Sequence, residues 1–157
     1  MKIRKASEQD LPRILQIYEK AREFMCANGN REQWKDGYPS ETLIKQDLAH
    51  MYLCMSDEKI ACVFYYAETI EKEYEQINGK WLNEEPYGVV HRVASTGIVK
   101  GAASYCLNWA YTQISNIRMD TYADNIPMQH LLKKCGFQYC GSFRRQGTEK
   151  WLAYHKV

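Results

Sequence analysis

Val89-Val90-His91-Arg92-Val93-Ala94-Ser95-Thr96, then Gly97-Ile98-Val99-Lys100-Gly101, then Ala102-Ala103-Ser104-Tyr105-Cys106-Leu107-Asn108-Trp109-Ala110-Tyr111: this stretch decides the fold. Its first part is rich in β-branched residues and reads as a buried strand. Its last part carries Ala103, Leu107, Ala110 and Tyr111 at helical spacing with no internal Gly or Pro. A strand, a small-residue turn and a helix in that order leave backbone N–H groups free at the helix start. Those donors and the helix dipole favour an anion such as a phosphate, and Lys100 adds a positive charge there. The glycines fit neither a P-loop nor the dinucleotide fingerprint. An ordinary strand–helix turn remains the plain alternative.

Working outward, 157 residues fit a single domain, 1–157, with a core of its own. A net charge of +2 gives no reason to expect nucleic acid or a membrane surface as partner. The six cysteines include no C-x-x-C pair and no His/Cys cluster with metal-ligand spacing, so no metal is expected. Cys54, Cys62 and Cys106 lie in apolar surroundings and read as small buried hydrophobes. Met1-Lys2-Ile3-Arg4-Lys5 has no apolar signal region, and no apolar run is long enough to span a bilayer. A reducing cytoplasm is the expected compartment.

Upstream, Lys2–Ala6 alternates as a strand. Ser7, with Asp10 behind it, caps a helix whose stripe runs from Leu11 to Met25 and stops at Asn28-Gly29-Asn30. Trp34 and Tyr38 sit in the loop that follows, as walls of a binding cleft or as anchors to the core. Ser40 caps a second helix carrying Leu43, Ile44, Leu48 and Met51. Tyr52–Met55 and Ile60–Ala67 form a hairpin. Residues 68–85 then hold six glutamates against two lysines. They read as a solvated insertion or as an acidic rim that attracts a cationic substrate. Pro86 and Tyr87 lead into the central strand.

Downstream, Ile117–Tyr122 alternates as a strand, and Ala123-Asp124-Asn125-Ile126-Pro127 starts a short helix that Gly136-Phe137 ends. Phe137–Arg144 and Lys150–His155 close a hairpin around Gln146-Gly147. The fold class is α+β: one central mixed, mostly antiparallel sheet with helices on both faces. The closing hairpin presents an edge, either the seam of a homodimer or left bare.

This order resembles the GNAT N-acetyltransferases along essentially the whole chain. The strongest local matches are Val93–Leu107, and Asp124-Asn125-x-x-Met128 leading to Leu131-Leu132-Lys133-Lys134-Cys135-Gly136-Phe137. The stretches Ile77–Leu82, Pro86-Tyr87 and His91–Ser95 look like an uncharacterised bacterial subgroup. The resemblance implies acetyl-CoA as co-substrate. Its pyrophosphate would rest on the amides of Val99, Lys100, Gly101, Ala102 and Ala103. Its pantetheine would pair like an added strand with Val93, Ala94 and Ser95, held by Asn125 and flanked by Met128.

The family's loop has Gln or Arg where this chain has Ile98, and its usual thiolate-protonating Tyr is replaced by Leu132. Tyr139 and Tyr122 are the substitutes nearest in sequence. The implied reaction is direct attack of a primary amine on the thioester. It needs a backbone donor for the carbonyl oxygen and a base for the ammonium proton. His91 and Asp120 are the candidate bases, with a satisfied strand histidine as the plain reading of His91. Trp34, Tyr38 and Tyr87 would line the acceptor side. The acceptor is a small-molecule amine, cationic if the acidic segment borders the cleft, or a peptide amine. The rival reading is an acyl-CoA-binding regulatory or interaction module without catalysis.

Overall fold

The computed structural model covers residues 1–157. Eight strands form one sheet in the order β1-β2-β3-β5-β6-β8-β7-β4. They are β1 (Lys2–Lys5), β2 (Met51–Ser56), β3 (Lys59–Glu68), β4 (Asn78–Gly79), β5 (Gly88–Ser95), β6 (Ile117–Tyr122), β7 (Gln138–Arg145) and β8 (Thr148–Lys156). Only β5 and β6 run parallel. The helices are α1 (Leu11–Ala27), α2 (Glu41–Gln46), α3 (Ala102–Gln113) and α4 (Ile126–Lys134). None is long and apolar enough to cross a membrane.

Strand alternation sorts the side chains onto two faces. Phe64, Tyr66 and Val90 point to one face, where they meet Cys106, Leu107 and Ala110 of α3 and Leu132 of α4. Cys54 and Cys62 join this layer, fully buried as the sequence suggested. Val63 and Ala94 point to the other face, against Ile14, Ile17 and Tyr18 of α1 and Ile44 of α2. Further along that same face, Ala67 and Val89 meet Tyr74, Trp81, Phe143 and Trp151 instead. So α1 covers half of this face and residues 72–81 cover the other half.

That corrects the reading of residues 68–85 as a solvated insertion. Tyr74 is fully buried, in a one-turn 3-10 helix at Lys72–Tyr74, and Asn78–Gly79 pairs with Ser142–Gly141 as β4. The glutamates at 68, 73, 75, 84 and 85 do stay exposed. A second correction is local. The second helix ends at Gln46, and Met51 opens β2 with its side chain in the core.

The parallel pair is short. Gly88 is in register with Ile117 and Val89 with Arg118, and then the strands part. Gly88 sits buried at the junction, where a Cβ would come within 3.0 Å of Ile114, Ile117 and Tyr66. Beyond it β5 has no partner on its β6 side, and the gap opens into a cavity of about 980 Å³.

Candidate active site

One end of the cavity is made largely of backbone. From Val90 onward, β5 carries unpaired main-chain groups along the gap, a template for an added strand. A bulge interrupts its other edge. Val63 is opposite Ala94 and Tyr65 opposite His91, so two residues of β5 face the single Phe64. Arg92, one of the two, takes a left-handed conformation with φ 53°. Tyr18 Oη donates to the Arg92 carbonyl at 2.8 Å, and Arg92 Nη2 reaches Asp47 Oδ2 at 2.6 Å. These buried contacts hold a backbone geometry that a non-glycine residue adopts at a cost of about 1–3 kcal/mol. Val93, Ser95 and Thr96 line the cavity.

The strand then runs into Gly97–Gly101. Gly101 has φ 82° and open space where a Cβ would stand, so conformation rather than crowding requires glycine there. It precedes α3 without any side-chain cap. The first hydrogen bond of that turn comes from Tyr105 N–H to the Gly101 carbonyl, leaving the N–H groups ahead of it for an anion.

The opposite end is made of side chains. His91 Nε2 lies 2.7 Å from Glu71 Oε1, and His91 Nδ1 lies 3.8 Å from Asp120 Oδ2. Tyr74 Oη donates to Asp120 Oδ2 at 2.5 Å. Arg145 Nη1 donates to Asp120 Oδ1 at 2.9 Å and Arg145 Nε to Glu73 Oε2 at 3.0 Å. Burial pushes the Asp120 carboxyl up, but Arg145, His91 and the two hydrogen-bond donors outweigh it and hold the group below the usual carboxylate range. The hydrogen bond from His91 lowers Glu71 against a smaller effect of burial. Burial raises the Tyr74 phenol well above its ordinary value, with Asp120 adding to the effect. Both carboxylates are therefore ionised at neutral pH. Tyr74 keeps its proton and donates it.

The cavity gathers most of the residues expected from sequence. His91, Asp120, Val93, Ser95, Ala103, Asn125, Met128, Trp34 and Tyr38 all line it. Val99, Lys100 and Gly101 belong to the loop at its rim, while Ala94 and Ala102 are buried beneath in the core. Asn125 serves as the cap of α4, its Oδ1 accepting from Met128 N–H at 3.1 Å, and its Nδ2 donates to Gln33 at 2.8 Å. One Nδ2 hydrogen thus remains for a ligand. Trp34 packs edge-on against Tyr18 and tilted against Tyr38, so the loop aromatics are both anchor and wall.

Two expected residues lie elsewhere. Tyr139 is 55% exposed on β7 with its ring against Tyr154, away from the cavity lining. Tyr87 sits behind the wall, where its hydroxyl accepts from Glu71 N–H at 2.9 Å and its ring lies under the Arg118 guanidinium. Tyr122 is buried against Trp151, and Leu132 fills the core while Leu131 faces the cavity. Sequence reasoning missed Glu71, Glu73, Tyr74 and Arg145 as a group. Tyr74 and Trp81, aromatics too large for a solvated loop, were the available signal.

No protein-family model matches the chain, and no curated protein does. Solved structures do. An acetyltransferase of the GNAT family from Streptococcus agalactiae superposes with a TM-score of 0.90 at 30% identity, over 99% of this chain and 94% of its own. A Staphylococcus aureus protein aligns at 27% identity and a TM-score of 0.74, covering 99% and 98% of the two chains. N-acetylglutamate synthase from Neisseria gonorrhoeae, complexed with coenzyme A and N-acetyl-glutamate, shares the fold at 10% identity and a TM-score of 0.67, over 99% of this chain and 34% of that one.

Proposed function

The chain belongs to the GNAT family of acetyltransferases, and from that premise we propose that it moves an acetyl group from acetyl-CoA to the primary amine of a cationic small molecule. The chain is an acetyl-CoA-dependent N-acetyltransferase; the acceptor is the new element. The observation that carries it is the unequal charge of the two cavity ends. Three carboxylates, Glu71, Glu73 and Asp120, stand at one end with the single guanidinium of Arg145 among them. The surplus negative charge holds a second ammonium group on the acceptor.

The donor molecule supplies an activated thioester whose thiolate leaves without strong acid assistance. The free edge of β5 at Val93–Ser95 pairs with its amide arm, and Asn125 donates the remaining Nδ2 hydrogen to it. The amides of Val99–Ala103 receive the pyrophosphate. The bulge frees a backbone donor at Val93 for the carbonyl oxygen as negative charge develops. His91 takes the ammonium proton, with Asp120 beside it. Trp34 and Tyr38 wall the acceptor. A peptide amine fits the same chemistry, and a second copy on the part of the β7 edge that β4 leaves uncovered would make a homodimer. Six free cysteines suit a reducing cytoplasm.

The test is acetylation of a panel of amines followed by mass spectrometry. Diamines are expected to be acetylated with higher kcat/KM than monoamines of equal length, and the preference is expected to fade with salt. Equal rates across the panel would overturn the cationic acceptor. The absent side chains at Ile98 and Leu132 favour one second reading, an acyl-CoA-binding module. It predicts acetyl-CoA binding without turnover on any amine.

A further inference from the structure

Residues 71–74 contribute three contacts to the acceptor end from a single turn. Glu71 meets His91, Glu73 meets Arg145 and Tyr74 meets Asp120. We infer that Glu71 is the positioning residue of the reaction: it fixes His91 as the Nε2–H tautomer, so that Nδ1, on the Asp120 side, is the atom that takes the acceptor's proton. The inference rests on the acetyl transfer proposed above.

An ionised carboxylate accepts hydrogen bonds and donates none. At 2.7 Å from Glu71 Oε1, Nε2 must therefore carry its hydrogen. A neutral imidazole with a proton on Nε2 has its only basic lone pair on Nδ1. Across from Nδ1, Asp120 Oδ2 is 3.8 Å away, beyond hydrogen-bond distance, and its oxygens are already engaged by Tyr74 and Arg145. So Nδ1 has no partner competing for its lone pair. Glu71 is held in turn by Tyr87, which accepts from its N–H, and by the 3-10 turn that follows. The groups around the imidazole are Glu71, Asp120 and the Tyr65 and Tyr74 rings, with Arg145 behind Asp120.

In the proton step an N–H bond of the acceptor ammonium breaks and an Nδ1–H bond forms, leaving an imidazolium between two carboxylates. The freed amine lone pair then forms the C–N bond at the thioester carbon. The C–S bond breaks, and its electron pair leaves on the thiolate. The nitrogen's surplus proton passes to the thiolate, and His91 returns its own to solvent.

The experiment combines 15N NMR of the imidazoles with kinetics on Glu71→Ala and Glu71→Gln. The chain has four histidines, and His91→Gln identifies the signal. In the parent, the neutral imidazole of His91 is expected as Nε2–H with a bare Nδ1. Glu71→Ala is expected to mix the tautomers and lower kcat by about a hundredfold, leaving the KM for acetyl-CoA unchanged. Glu71→Gln still accepts from Nε2–H, so it is expected to keep the tautomer. Its kcat is expected to fall by less than that of Glu71→Ala. A parent His91 protonated on Nδ1, or a Glu71→Ala variant with the parental tautomer and kcat, would overturn the inference. Absence of turnover on every amine, with the Nε2–H tautomer present, would sink the proposed reaction and leave the Glu71–His91 pair supported.

Discussion

At the Thr96–Gly101 end the cavity offers main-chain groups: a strand edge without a neighbour and a helix start without a cap. At the Glu71–Arg145 end it offers a web of side chains from the turn after β3, from β5, from β6 and from β7. A surface of amides survives changes of side chain. A surface of paired charges does not, because each group depends on the others for its solvation. Variation at the first end should therefore tune affinity, and variation at the second should switch function and stability together.

Asp120→Ala should give the largest effect and the sharpest contrast. It strips Arg145 and Tyr74 of a shared buried partner, and removal of one member of such a pair costs about 3–5 kcal/mol. Urea denaturation should register that loss, while the stabilisation by acetyl-CoA persists. Gly101→Glu should do the reverse. A glutamate there is strained at φ 82° and sets a negative charge where the phosphates are proposed to bind. The parent's rise in thermal stability, about 2.7 kcal/mol at a hundredfold excess of acetyl-CoA over the dissociation constant, should vanish. A retained rise would break the backbone account of that end.

The third test concerns what moors the acidic end. Fully buried His155 accepts from Leu82 N–H through Nδ1 at 3.1 Å and bonds Asn116 through Nε2. Burial and the positive charge of Arg118 lower its pKa to about 4 from an ordinary 6.5. The unfolded chain takes up that proton first as pH falls. Stability should drop between pH 6.5 and 4, by up to about 1.4 kcal/mol per unit. In His155→Gln this part of the slope should be missing when denaturation is followed across that range. The smallest effect is expected from Ile98→Arg, which adds one exposed charge at the cavity rim. It should tighten acetyl-CoA by about 1 kcal/mol or less in calorimetry, with acceptor preference unchanged.

The same contrast explains what could be read from the chain alone. The main-chain end is encoded locally. Val89–Thr96, the two glycines and the α3 stripe stand in one run, and each is dictated by conformation or burial. The Gln146-Gly147 turn was legible for the same reason, with positive φ at both residues. The side-chain end is encoded across 75 positions, from Glu71 to Arg145, and only the sheet order brings them together. Glu71 differs in sequence from exposed Glu73 and Glu75 in nothing but its place in a turn. Tyr139 was the converse case. It is close in sequence to the expected acid but on a strand that points it to solvent.

The junction at Gly88 works like the pivot of a pair of compasses. The two strands touch there for two residue pairs and are free beyond. A strand advances about 3.3 Å per residue, so a wedge of a few tenths of an ångström at the pivot grows along the legs toward Ser95. Gly88→Ala supplies such a wedge, pressing on Ile114, Ile117 and Tyr66. The bore of the cavity is thus set at a buried position outside its lining.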